Sequence, residues 1–369
     1  MSFSLLIKPT SSLCNLRCRY CFYADVSKNR ENASFGCMTP EIAHKLIDRA
    51  FEASHGGTVS FAFQGGEPTV AGLDFFKDFT AYADGHCPKG TTISYTIQTN
   101  GILLDDEWCA FLKEHAFLVG LSLDGPKQEH DLCRVDAQDR GTFQAVMQTV
   151  QRLRAHHVDF NILTVLTKTL ARHPQQLFSF YKKNNFRFVQ IIPCLDSLED
   201  GGGAYSLTPE LYASFLKTFF RLWLDEFRRG NYISVRLFDN LVRMAAGQHP
   251  EQCGLLGQCQ CQFVAEADGS LYPCDFYVLD PYRMGNVMEQ SFEEMYKSEG
   301  FKAFLADNES SRNPQCETCW ARPACGGGCR RYRPFYFTKG NYCPYSDFLA
   351  ACARDIRWLA RILSQEGGI

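Results

Sequence analysis

The sequence predicts an α/β chain in which parallel strands alternate with helices, followed by a smaller cysteine-rich region. Three observations carry this. Six short apolar runs rich in β-branched residues alternate with stretches of helical periodicity. Polar, glycine-rich segments follow successive runs. The 18 cysteines concentrate at residues 14–21 and 253–343.

The candidate strands are Ser4–Lys8, Val59–Phe63, Thr92–Ile97, Phe117–Ser122, Phe160–Val165 and Phe188–Ile192. Between them lie helical stretches at Pro40–Ser54, Leu73–Ala83, Asp105–His115, Thr142–His157 and Pro174–Asn184. Thr39-Pro40 is an N-cap followed by proline at the first helical position, where the missing N–H costs nothing. Strands separated by helices pair in parallel through right-handed crossovers. This pattern fits a curled barrel and an open sheet equally. After the first strand comes CNLRCRYCFY, after the second QGGEPT, after the third QTNG and after the fourth DGP. Both architectures place active sites at the carboxyl ends of strands, so these four segments mark the candidate site. Thr208–Gly230 and Asn240–Ala246 are helical and amphipathic, and core packing explains their apolar residues. A length of 369 residues argues for one large domain and a smaller one, expected at 1–235 and 236–369, the second ending in a helix.

Composition narrows the function. With 45% hydrophobic and 21% charged residues the chain is not disordered. A net charge of −3 supplies no basic field for nucleic acid or an anionic membrane. No apolar run reaches about 18 residues, so no membrane span is expected. MSFSLLIKPTSS lacks a basic segment ahead of its apolar stretch and does not look like a secretory signal, so a cytoplasmic protein is expected. In a large chain without an export signal, clustered cysteines bind metal more often than they form disulfides.

Cys14, Cys18 and Cys21 form a CxxxCxxC triplet with Tyr20, Phe22 and Tyr23 around its last member. Three thiolates can hold three irons of a four-iron cluster and leave the fourth open to a small molecule. A zinc site short of its fourth ligand and an ordinary thiol-rich loop are the alternatives. In the second concentration, CGLLGQCQC, DGSLYPCD, CETCWARPACGGGC and Cys343 supply more ligands than one site needs, for zinc or for iron–sulfur clusters.

The triplet after the first strand, with Gly65-Gly66-Glu67-Pro68, resembles the radical S-adenosylmethionine superfamily. The resemblance implies a partial (β/α)6 TIM-type barrel and a reductively cleaved S-adenosylmethionine that yields a 5′-deoxyadenosyl radical. It implies contacts to that cofactor from Tyr20, from the Gly65, Gly66, Glu67 and Pro68 loop at the methionine amino group, from Ser122 and Asp124 near the ribose and methionine, and from Arg134 near the methionine carboxylate. Asn100 of QTNG is a further candidate. The later cysteines resemble SPASM domains, which implies two auxiliary [4Fe-4S] clusters and three clusters in all. One would be held by Cys253, Cys259, Cys274 and Cys329, the other by Cys316, Cys319, Cys325 and Cys343. Cys261, two residues from Cys259, could exchange with it; the other cysteines read as structural or free.

CRYCFY, FAFQGGEPTVAGLDFF, QTNG, VGLSLDGP, NILTV and CQFVAEADGSLYPCDFYVLD are similar to anaerobic sulfatase-maturating enzymes over nearly the whole chain. That likeness implies oxidation of a cysteine or serine in an unfolded or nascent sulfatase to Cα-formylglycine. It implies Asp275 as the base taking the thiol or hydroxyl proton, and an electron donor such as flavodoxin or ferredoxin. Tyr23 and Gln64 edge the radical site and are candidate substrate contacts, as is Arg236. The alternatives are a maturase that crosslinks a small ribosomal peptide, and a metal-binding interaction protein without catalysis. With the triplet at residue 14, no peptide-binding domain is expected ahead of it.

Overall fold

The computed structural model describes residues 2–199, 202–335, 337 and 341–365. Among these residues ten strands form: β1 Ser2–Ile7, β2 Thr58–Phe63, β3 Thr92–Thr99, β4 Leu118–Ser122, β5 Phe160–Leu166, β6 Phe188–Pro193, β7 Ser234–Val235, β8 Val264–Ala265, β9 Ser270–Tyr272 and β10 Gly285–Asn286. The six expected strands are the first six, within a few residues at each end. The architecture is a partial α/β barrel whose sheet does not close on itself.

The chain packs as two compact units that are not contiguous in sequence. The first comprises residues 1–123, 130–160 and 260–306. In it β1, β2, β3 and β4 pair in parallel, and β8 adds to the free side of β1, also in parallel. The β8–β9–β10 ribbon is antiparallel. Phe61 and Phe63, two apart on β2, point to one face and meet Phe76 and Phe79, three apart on the helix Leu73–His86. This aromatic layer is fully buried and fixes the second crossover. The helix Pro40–Ser54 starts as its sequence predicts, with Thr39 Oγ1 accepting from Ile42 N at 3.4 Å and Pro40 in the first turn.

The second unit comprises residues 124–129, 161–259 and 307–369. Here β5, β6 and β7 pair in parallel. The helix Pro209–Arg228 buries Phe215, Phe219, Phe220 and Trp223. It packs on Phe238 of Arg236–Ala245 and Phe348 of the C-terminal helix Pro344–Gln365. Among the described residues no helix is long and apolar enough to cross a membrane.

Several elements escaped the sequence reading, among them the ribbon and a short helix after the triplet. The ribbon strands are two or three residues long, too short for an alternation to register. The seven-residue helix Phe22–Lys28, which begins directly after the triplet, is likewise shorter than a periodic signal needs.

Candidate active site and cluster-binding cysteines

In the first unit the cysteine loop is laced to two other chain segments. Arg17 N donates to Val135 O at 2.7 Å and Arg19 N to Cys133 O at 2.9 Å, so residues 16–19 run antiparallel to 133–136. On the other side Gly66 N donates to Ser11 O at 2.9 Å and Glu67 N to Leu13 O at 2.8 Å. This approach requires glycine, because a Cβ on Gly66 would lie 2.1 Å from Leu13 O. Gly65 has φ +120° and rests against the Lys8 side chain.

Cys14, Cys18 and Cys21 share one neighbourhood with Glu67. Burial pushes the Cys14 thiol up to about 12, helped by the nearby Glu67, Cys18 and Cys21 charges and opposed by the Leu16 N–H, which reaches its Sγ at 3.3 Å. A thiol that resists ionisation alone becomes a thiolate once a cation binds, so this environment fits a cluster site. Asn100 Nδ2 donates to Asn15 Oδ1 at 2.8 Å, which brings the QTNG turn against the same loop.

Glu67 is buried, and both its oxygens are occupied by the protein. Oε1 accepts from Thr69 N at 3.1 Å, Thr69 Oγ1 at 2.6 Å and Thr99 Oγ1 at 2.6 Å, and Oε2 accepts from Asn100 N at 2.7 Å. Burial raises its pKa and these donors oppose the rise. In this geometry the carboxylate ties the GGEP loop to the end of β3. Ser122, at the carboxyl end of β4, is buried, and Arg134 lays its guanidinium 5.5 Å from the Tyr20 ring centre.

The Asp275 carboxylate lies just past β9, in a turn whose Phe276 packs on Phe22. Its Oδ2 accepts from Tyr23 Oη at 2.8 Å and from Gln64 Nε2 at 3.0 Å. Its Oδ1 is buried with no hydrogen-bond partner. Burial raises the Asp275 pKa, Lys8 and the Tyr23 hydroxyl pull it down, and Glu266 pushes it up. Burial and the Asp275 charge hold the Tyr23 phenol well above its ordinary value. Thus Tyr23 and Gln64, singled out in the sequence as substrate contacts, meet at Asp275.

A charged group that the sequence reading missed stands behind this carboxylate. Lys8 Nζ lies 3.1 Å from Glu266 Oε1 and 4.9 Å from the Tyr23 ring centre, and Arg30 Nη1 lies 2.7 Å from the same Glu266 oxygen. All three side chains are buried. Burial disfavours the Glu266 charge, but Lys8 and Arg30 outweigh it and bring its pKa down to about 2. The available signal was a charged residue inside an apolar run, twice: LLIKP and FVAEA.

In the second unit, Asp124 Oδ1 accepts from Val165 N at 2.9 Å, and Arg236 Nη1 donates to Gln190 Oε1 at 2.9 Å. Cys316, Cys319, Cys325 and Cys343 line one cavity with Ala321 and Tyr345, and burial raises the thiols of Cys316, Cys325 and Cys343. Four thiols around one apolar-walled cavity fit the ligand set of a [4Fe-4S] cluster. Cys253, Cys259 and Cys329 act on one another electrostatically and form a second group. Cys274 belongs to the first unit, next to Asp275, as does Cys261, whose Sγ lies 3.8 Å from Met284 Sδ. Among the described residues no three His, Cys, Asp or Glu side chains close to the distances of a single metal ion.

Residues 9–180 match the family model of the radical SAM superfamily, and residues 253–320 match that of SPASM, an iron–sulfur cluster-binding domain. A cysteine-type anaerobic sulfatase-maturating enzyme of Clostridium novyi is 44% identical over 342 residues, which are 92% of this chain and 91% of that protein. A serine-type anaerobic sulfatase-maturating enzyme of Bacteroides thetaiotaomicron is 31% identical over 377 residues, covering 94% and 90%. The solved structure of native anSMEcpe with bound AdoMet and Cp18Cys peptide superposes with a TM-score of 0.90 at 39% identity. It covers 98% of this chain and 100% of that one.

Proposed function

We propose that this chain, which belongs to the anaerobic sulfatase-maturating enzymes of the radical SAM superfamily, oxidises a cysteine of a sulfatase polypeptide to Cα-formylglycine. The observation that carries the chemistry is the Asp275 carboxylate. One oxygen is held by Tyr23 and Gln64, while the other is buried and unsatisfied. A buried acceptor without a donor is costly, so its retention beside the cysteine loop points to a donor brought by the substrate. Cysteine is favoured over serine as the target because the cysteine-type relative is the more similar one.

Bound to the cysteine triplet, a [4Fe-4S] cluster and S-adenosylmethionine supply the abstraction of a hydrogen atom from the target β-carbon. The chain's own residues do the rest. Asp275 Oδ1 takes the thiol proton, and Tyr23 and Gln64 keep that oxygen aimed at it. Cys274, the neighbour of Asp275, would be a ligand of an auxiliary cluster, and that cluster would supply the acceptor for the remaining electron. Water then replaces sulfur at the oxidised carbon, giving the aldehyde and hydrogen sulfide.

Tyr20, the Gly65–Pro68 loop, Ser122, Asp124 and Arg134 are assigned to the S-adenosylmethionine site. Since the Glu67 carboxylate is already satisfied, its role there is to hold the loop while backbone groups meet the methionine ammonium. Arg236 is assigned to the substrate peptide. The eleven cysteines named above hold three clusters, with residues 1–235 forming the radical SAM part and 236–369 the auxiliary-cluster part. The substrate enters unfolded, a flavodoxin or ferredoxin returns electrons, and the reaction takes place in the cytoplasm.

The test is a peptide of about twenty residues carrying Cys-x-Pro-x-Arg, given to anaerobically reconstituted enzyme holding about twelve irons. The expected product is lighter by about 18 Da, the exchange of CH2–SH for an aldehyde. A product about 2 Da lighter is a crosslink and assigns the chain to peptide maturation instead.

A further inference from the structure

We propose that Arg333 is a positioning residue whose buried guanidinium serves the two auxiliary cluster sites as a shared counter-ion and raises the reduction potential of both. This rests on the reading of two auxiliary clusters given above.

Arg333 lies in the short helical segment Arg330–Phe335, four residues after Cys329, and Tyr332 N donates to Cys329 O at 2.9 Å. Only 7% of Arg333 is exposed. Its Nη1 donates to Asn308 O at 2.8 Å and to Ser311 Oγ, and its Nη2 donates to Asn308 Oδ1 at 3.0 Å. Every one of these acceptors is neutral. Among the described residues no carboxylate comes within ion-pair distance of this guanidinium, and the nearby Arg312 has the same sign.

An unpaired buried cation is a strongly unfavourable arrangement. The groups that oppose its charge are three sulfurs, Cys259 and Cys329 of one ligand set and Cys316 of the other. The two sets meet at this point in the fold. Cys325 and Cys329 are separated only by Gly326-Gly327-Gly328, and the loop that carries Cys253 packs directly on that link. A Cβ on Gly254 would lie 3.3 Å from Cys329 Cβ, and one on Gly326 would lie 2.2 Å from Gly257 N. As free thiols the sulfurs are neutral and leave Arg333 uncompensated. As ligands of iron–sulfur clusters they belong to net anions, and the guanidinium acquires the partner it lacks.

Adding an electron makes a cluster more negative, so a fixed nearby cation favours the reduced form. Three hydrogen bonds to Asn308 and Ser311 keep the charge from swinging away to solvent. Because one charge acts on both sites, it moves the two potentials together and leaves the driving force of an electron hop between them little changed.

The experiment is a potentiometric titration of the reconstituted full-length protein, followed by electron paramagnetic resonance of the auxiliary clusters. In Arg333→Met, with iron content at the parent level, the reduced-to-oxidised ratio at a given potential should fall about tenfold for both clusters, about 59 mV for a one-electron couple. Arg333→Lys should restore most of this shift, which a packing role alone would not explain. Arg322→Met is the control. Arg322 also acts on Cys316, but it is exposed and paired with Glu317 at 2.7 Å, so its loss should change the ratio less than about twofold. If Arg333→Met loses iron, Arg333→Gln, which keeps donors for Asn308, has the same expected shift. Two intact auxiliary clusters with unmoved potentials, or movement of one alone, overturn the proposal. A parent protein with fewer than two auxiliary clusters overturns the cluster reading beneath it.

Discussion

Replacing Asp275 with asparagine separates the charge of this carboxylate from its shape. The asparagine oxygen can take the place of Oδ2 and accept from Tyr23 Oη and Gln64 Nε2, at present 2.8 Å and 3.0 Å away. Its amide nitrogen then falls where Oδ1 now lies, a position with no partner. Two charge-assisted bonds become neutral ones, a loss of about 1 kcal/mol each, while the cost of burying a charge disappears. These terms oppose, so fold stability should change by no more than about 2 kcal/mol. Catalysis has no such compensation, because an amide cannot take the substrate proton. Loss of a positioned base lowers rates by about 10²–10⁴, or about 3–5 kcal/mol of barrier. The assay follows three quantities in one anaerobic reaction: deoxyadenosine formed, deuterium passed into it from a β-deuterated peptide, and aldehyde by mass. Deoxyadenosine and deuterium transfer should persist while aldehyde falls by at least about a hundredfold. Iron content is measured alongside, since Asp275 adjoins Cys274. A variant with parent-level iron that makes aldehyde at the parent rate would show that Asp275 is not the base.

Two other substitutions probe the surroundings of that carboxylate. Gly66→Ala drives a methyl group onto Leu13 O, so the cysteine loop must shift; stability should fall by about 1–3 kcal/mol, and iron at the triplet should fall with it, read by urea unfolding and iron analysis. Glu266 has a folded pKa of about 2, below its unfolded value, so its contribution is present above about pH 4.5 and is lost as pH falls toward 2. That contribution is about 3 kcal/mol, and Glu266→Gln should flatten the fall in urea midpoint between about pH 4.5 and 2; an unchanged slope would show that the ion cluster does not govern it. At neutral pH the same variant leaves Lys8 and Arg30 without their anion and should cost about 3–5 kcal/mol.

Features that depend on neighbours along the chain could be read from the order of residues. The six β/α repeats were legible because strand and helix periods are local, and Thr39-Pro40 marked a helix start because a cap needs only four residues. The cysteine triplet and GGEP were legible for the same reason. Where side chains meet across loops is set by the folded chain. Tyr23 and Gln64 stand 252 and 211 residues from Asp275, yet both bind its Oδ2 and leave Oδ1 as the open acceptor. Thr69, Thr99 and Asn100 surround the Glu67 carboxylate, although Thr99 and Asn100 lie more than thirty residues away in sequence. Lys8 and Glu266 become partners because β8 adds to β1 in one register, with Ile7 opposite Ala265. Pairing register and the packing of loops at strand ends choose these partners, and neither leaves a periodic trace in the order of residues.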